Sequence, residues 1–237
     1  MSDLSKPDAP GRTVDATSRV PAWRRATTGE HRWPSILAVT AVIVVQLLLP
    51  DRLILHPRWL LPGVEIVLAV GLVVANPVRL KRDHPGLRLS GLALVAAMTV
   101  ANAGSAVLLI ARLLGGTAGH DAGSLIGNGA AIYATNIIAF GLWYWELDRG
   151  GPMSRAGGER QHTDFLFAQM TQPDVARPDW EPSFLDYLYV SYTNATAFSP
   201  TDTLPLSRWA KMLMLAQSAI ALSTVALVVA RAVNILR

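Results

Sequence analysis

The stretch SYTNATAFSPTDTLPLS, residues 191–207, holds the side chains of this chain best suited to chemistry. Thr193, Thr196, Phe198, Ser199, Pro200, Thr201 and Asp202 set hydroxyls and one carboxylate on an irregular turn between two apolar stretches. Hard oxygens of this kind serve a cation. The same residues also serve as caps, ending one helix and starting the next. A second pair draws notice inside the apolar runs. Glu65 is the one acidic residue well within such a run, and Arg112 falls at comparable depth in the following one. An intramembrane charge is a functional candidate, here for a proton or ion relay. The plainer reading is a structural ion pair, or an arginine whose head reaches the interface.

Little else in the sequence carries chemistry. The five histidines, His31, His56, His84, His120 and His162, have no ligand spacing, so no zinc or other metal site is expected. Zero cysteines exclude disulfides and thiol nucleophiles. No nucleophile elbow, phosphate loop, paired catalytic carboxylates or dinucleotide fingerprint occurs, so the expectation is a protein that is not an enzyme and takes no cofactor. Asn102 and Asn136, mid-run, read as hydrogen-bond partners between helices. Ala219, Ser223, Ala226 and Ala230 read as a small-residue stripe for close helix packing, within the bundle or in a homo-oligomer.

The elements that must position these residues follow from the hydropathy. The 237 residues are 51% hydrophobic with mean hydropathy +0.32, and the apolar residues come in blocks rather than in alternation. ILAVTAVIVVQLLL (36–49) has one Gln and one Thr, too few for a helix of a soluble bundle. The spacing predicts an all-α integral membrane protein with about five transmembrane helices, near 34–49, 59–76, 89–114, 125–147 and 209–235. Residues 1–33 read as a disordered basic tail, 34–147 as a four-helix membrane region, 148–182 as a polar surface loop, and 183–237 as a short helix, the polar turn and the last span. The short helix, SFLDYLYVSYTNATAF (183–198), groups Ser183, Tyr187, Ser191 and Asn194 on one face and Leu185, Leu188, Tyr189 and Tyr192 on the rest. Too short and polar to span, it reads as a re-entrant, pore-like helix.

Net charge is +4, with fourteen Lys and Arg near the span ends on one side and five on the other. This asymmetry predicts a cytoplasmic N-terminus in a cell (inner) membrane of bacterial type. The basic side chains sit where lipid headgroups are the nearer partner, so nucleic acid is not expected as a partner and the bilayer is.

Two resemblances bear on the turn. Potassium-channel filters read T-x-x-T-V-G-Y-G-D-x-x-P, and Thr193, Thr196, Asp202 and Pro205 resemble its two ends. Residues 197–201 depart from it, being one residue longer and without glycine, and Pro200 fixes a backbone angle that a carbonyl-lined filter needs free. FGLWYWELDRGG, DYLYVSYTNATAFSPTD and ARAVNIL, within the last hundred residues, resemble an uncharacterised bacterial family of multi-pass membrane proteins known as domain of unknown function 1345. That resemblance implies an integral membrane protein and no particular activity. The functional expectations are therefore an oligomeric pore-loop protein for a monovalent cation, a non-conducting structural or partner-binding membrane protein, and a small-solute or proton-coupled transporter using Glu65.

Overall fold

The helix Ala122–Leu147 (α4) is the axis about which the chain is arranged. A computed structural model describes residues 21–75, 85–117, 121–158, 162–196 and 202–236. The other helices are Trp33–Leu48 (α1), Leu60–Ala75 (α2), Pro85–Leu114 (α3), Pro152–Gly157 (α5), Ala168–Thr171 (α6), Phe184–Thr196 (α7) and Arg208–Leu236 (α8). α4 packs against α1, α3, α7 and α8, and α2 packs on α3. Local chemistry sets the ends. Asp121 caps α4, its carboxylate accepting from the backbone N–H groups of Gly123 and Ser124 at 3.1 and 3.0 Å. Pro34 occupies the first turn of α1, and Leu49, extended because Pro50 follows, stops it. Ser183 and Asp186 start α7, the Asp186 carboxylate accepting from the Ser183 N–H at 2.7 Å, which is half of a capping box.

Three helices, α3, α4 and α8, are long and apolar enough to cross a membrane, which gives the chain a membrane location. Of the five spans expected from sequence, these three reach spanning length. α1 and α2 have 16 residues each, about 24 Å at 1.5 Å per residue, short of the roughly 30 Å hydrocarbon core. The all-α expectation holds apart from one small feature. Phe165–Leu166 (β1) and Leu204–Pro205 (β2) pair antiparallel, Phe165 opposite Pro205.

Two segments read from composition, the tail and the polar loop, make contacts with the body of the bundle. Residues 21–33 are part of the fold, because Trp23 buries its ring, the Thr27 N–H donates to the Ala156 carbonyl at 2.8 Å, and Glu30 finds donors in the body. Residues 1–20 lie outside the described residues. The segment 148–182 is no plain surface loop, since Asp148, Arg149, Phe165 and Phe167 are buried. Phe165 stacks edge-on against Tyr187 and Trp209, which anchors β1 between α7 and α8.

The buried face of α8 is Ala210, Met214, Gln217, Ala221, Thr224, Val228 and Ala232, in steps of three and four. The small-residue stripe proposed from sequence, Ala219, Ser223, Ala226 and Ala230, lies on the exposed side instead. Close packing of α4 on α8 depends on Gly129, where an added Cβ would lie 2.8 Å from Val228 Cγ2. Replacing Gly129 by Leu should destabilise the protein in detergent by about 1–3 kcal/mol through overpacking. Adding V228A to the same chain should recover part of the loss, read by thermal unfolding of both variants.

Candidate functional site

α7 turns its polar face inward. The side-chain amide of Gln217, on α8, is fully buried and joins three helices. Its Oε1 accepts from the Tyr144 hydroxyl on α4 at 2.6 Å and from Asn194 Nδ2 on α7 at 2.9 Å. Its Nε2 donates to the Ser191 Oγ at 2.7 Å and to the Ser191 carbonyl at 2.9 Å. Ser191 donates onward to the Ile137 carbonyl at 2.6 Å, and Asn136 donates to the Gln217 carbonyl at 3.3 Å, the interhelical bond its sequence position suggested. Where water is absent a buried amide is stable only with such partners.

A second polar junction closes one end of the bundle. Asp148, fully buried, accepts from the Tyr187 hydroxyl, from the Asp164 N–H at 2.8 Å and from Thr163 Oγ1 at 3.4 Å. Asp164 accepts in turn from the Arg149 N–H at 3.0 Å and from Trp209 Nε1 at 2.9 Å. Arg155 Nη1 donates to the carbonyls of Trp145 and Asp148 at 2.6 and 3.0 Å, and its guanidinium lies 4.9 Å from the centre of the Tyr187 ring. The turn that allows this is DRGG, in which Arg149, Gly150 and Gly151 all have positive φ, at 51°, 84° and 97°. Glu30 enters from the N-terminal side, accepting from Trp145 Nε1 at 2.7 Å and from the Phe184 N–H. Burial pushes its carboxyl above the usual range, opposed by the Phe184 hydrogen bond, the charge of Arg155 and the Trp145 hydrogen bond.

Between α1, α2, α3 and α4 lies a cleft of about 270 Å³ with apolar walls, and Arg32 and Glu146 line it too. Arg32 Nη1 donates to the Leu72 carbonyl at 2.6 Å. Glu146 interacts electrostatically with Arg155, Arg32 and Arg88. Gly91 leaves its carboxylate room, because a Cβ there would lie 2.9 Å from Glu146 Oε1.

The residues singled out from sequence do not form one site. Thr193 Oγ1 donates to the Tyr189 and Val190 carbonyls, and Thr196 Oγ1 to the Tyr192 carbonyl, all within α7. Phe198, Ser199, Pro200 and Thr201 lie outside the described residues. Asp202 is exposed beside Thr203, and the start of α8 is served by Ser207, whose Oγ accepts from the Ala210 N–H at 3.4 Å, so the capping role falls to Ser207. The proposed Glu65–Arg112 pair does not form. Glu65 is fully buried and accepts from Gln46 Nε2 at 3.2 Å, while Arg112 Nε donates to the Arg52 carbonyl at 3.1 Å. No group of three or more His, Asp or Glu able to hold a metal occurs among the described residues. Comparison with family models, curated proteins and solved structures finds no match to this chain.

Sequence reasoning passed over Gln217, Tyr144, Glu146 and Glu30. The signals were modest: Gln217 is the one amide in the run 209–230, and Glu146 ends an aromatic run. Two predictions follow from the geometry. Q217L should destabilise by about 1–3 kcal/mol for each polar group it strands, chiefly Tyr144 and Asn194, measured by unfolding in detergent. For Glu30 the folded carboxyl holds its proton to higher pH than the unfolded one, so its contribution falls as pH rises from about 4.5 through the raised value. The melting-temperature advantage of wild type over E30Q should therefore shrink across that window and level off above it.

Proposed function

We propose that this chain is a non-conducting, partner-binding multi-pass membrane protein, with α1 and α2 also embedded in the bilayer and α7 a re-entrant helix. The observation that carries this reading is the Gln217 amide, which meets the polar face of α7 with protein groups rather than with water. A permeation path needs backbone or polar side chains facing an aqueous lumen. Here Ser191 and Asn194, the most polar inward residues of α7, are taken up by helix–helix bonds.

The re-entrant reading has its own support. α7 has 13 residues, about 20 Å, and starts at Ser183 beside Glu30. By Leu204 the chain is pairing with β1, whose Phe165 packs on Tyr187 near the start of α7. The chain thus leaves one end of the bundle and comes back to it. The basic excess at that end supports a cytoplasmic assignment there in an inner membrane. The resemblance of the last hundred residues to the family of domain of unknown function 1345 is part of the same proposal. Loss of transport in E65Q would favour the transporter reading, whereas the enclosure of Glu65 beside Gln46 leads us to expect a change in stability alone.

The second reading, a pore formed between copies, draws on one feature: Leu185, Tyr189, Tyr192 and Thr196 form an exposed strip along α7, and Asp202 is exposed as well. Ion flux into liposomes holding the purified protein separates the two. Wild type and D202N should both give the potassium and sodium leak of protein-free liposomes. Flux that requires Asp202 would replace the present reading with the pore.

A further inference from the structure

The cleft between α1, α2, α3 and α4 has a composition that neither a structural core nor a pore requires. Its walls come from residues such as Val39, Ile43, Ala69 and Leu94, all aliphatic. Its space of about 270 Å³ is near the lower end of the roughly 300–1,000 Å³ typical of small-molecule sites. A void of that size left empty would cost the contacts its lining atoms lose, so it calls for an occupant. Val44, Ile66 and Val70 line it and are themselves exposed on α1 and α2. In a membrane protein such exposed aliphatic positions face acyl chains, so the cleft communicates sideways with the hydrocarbon rather than with water.

One end is charged, and the charge has a sign. Arg32 and Glu146 both line the cleft where α1 begins and α4 ends. Around the single Glu146 carboxylate act Arg155, Arg32 and Arg88. Arg155 is shared with the Glu30 carboxylate, so three guanidinium groups stand against two carboxylates and the end keeps a positive excess. Arg88 lies one helical turn before the lining Gly91 on α3, and its Nε is buried without a hydrogen-bond partner. Arginine beside an apolar slot suits an acidic head attached to an acyl chain, because the guanidinium fork matches a phosphate or carboxylate. Gly91 keeps the floor open, as any side chain there would meet Glu146.

We infer that this cleft is a binding site for an anionic membrane lipid, with an acyl chain lying between α1, α2 and α3 and the acidic head at the Arg32 and Arg88 end. Basic pockets between transmembrane helices recognise acidic headgroups on the same physical grounds. Glu146 opposes the head and sets selectivity: it weakens binding enough for the lipid to exchange, and it repels a second anion. The inference is independent of whether the protein conducts ions.

The test is lipid binding to the purified full chain in detergent, read by native mass spectrometry and by thermal shift. The probes are phosphatidylglycerol, phosphatidylcholine with the same chains, and glycerol phosphate without chains. Phosphatidylglycerol should bind at least tenfold more tightly than either other probe and raise the melting temperature. V70W, at an exposed position on the cleft, should fold and lose phosphatidylglycerol binding tenfold or more. R88Q should keep acyl binding and lose the preference for phosphatidylglycerol over phosphatidylcholine. Equal binding of the two lipids by wild type, or unchanged binding by V70W, would overturn the inference. Tight binding of glycerol phosphate alone would overturn the acyl part and leave a plain anion site. Circular dichroism of V70W and R88Q, matched to wild type, shows that any loss is at the cleft and not in the fold.

Discussion

A fully buried carboxylate constrains everything around it, and Asp148 is such a carboxylate. Removing such a charge from water costs several kcal/mol unless hydrogen bonds replace the lost solvent. The replacements come from two other parts of the chain, the hydroxyl of Tyr187 on α7 and the backbone N–H of Asp164 next to β1, and the Arg149 guanidinium adds its charge with Nε 3.7 Å from Oδ2. Each of these must be in place for the others to be tolerable. The positive-φ run Arg149–Gly151 is the geometric condition, since it folds the chain back beneath α4 so that Asp148 and Arg155 lie on the same side. The aromatic ring contacts of Phe165, Phe167 and Tyr187 then seal the junction from above.

The same rule, that buried polar groups find protein partners, organises the middle of the bundle in a neutral form. Gln217 serves Tyr144, Ser191 and Asn194 without any charge, so α7 is fixed in rotation as well as in position. The two junctions together turn Tyr187, Ser191 and Asn194 of α7 inward. What it shows outward is Leu185, Tyr189, Tyr192 and Thr196, a mainly apolar strip suited to lipid or to another protein. The cleft between α1, α2, α3 and α4 sets Arg32 and Glu146 against apolar walls.

Much of the architecture is legible from hydropathy alone. The runs 89–114, 125–147 and 209–235 become α3, α4 and α8 because length and apolarity are local properties. The grouping of Ser183, Tyr187, Ser191 and Asn194 was also readable, since helical periodicity fixes which residues share a face. Which way that face points was not, because it depends on Gln217 arriving from 23 to 26 residues away. Glu65 and Arg112 matched in expected depth, but Glu65 meets Gln46 on α1 and Arg112 meets the Arg52 carbonyl, and a linear pattern does not name such partners. Residues 21–33 looked like tail by composition. Their order comes from Trp145, Ala156 and Phe184, more than a hundred residues downstream, and no local pattern announces such a partner.

That separation governs how the chain is made. Glu30 takes its two hydrogen bonds from residues 115 and 154 positions later. Synthesis runs at about 5–20 residues per second, so the segment before α1 waits seconds or more for the groups that will hold it. Until Arg149 emerges, the stretch around Trp23, whose carbonyl that guanidinium binds, has nothing to dock on. Closing so long a loop costs only slowly more with length, so the delay is one of time rather than of stability. The Glu30 clasp is therefore a late step of assembly, and a chain halted before residue 184 would hold α1 to α4 and lack both α8 and the Phe184 N–H that completes the clasp.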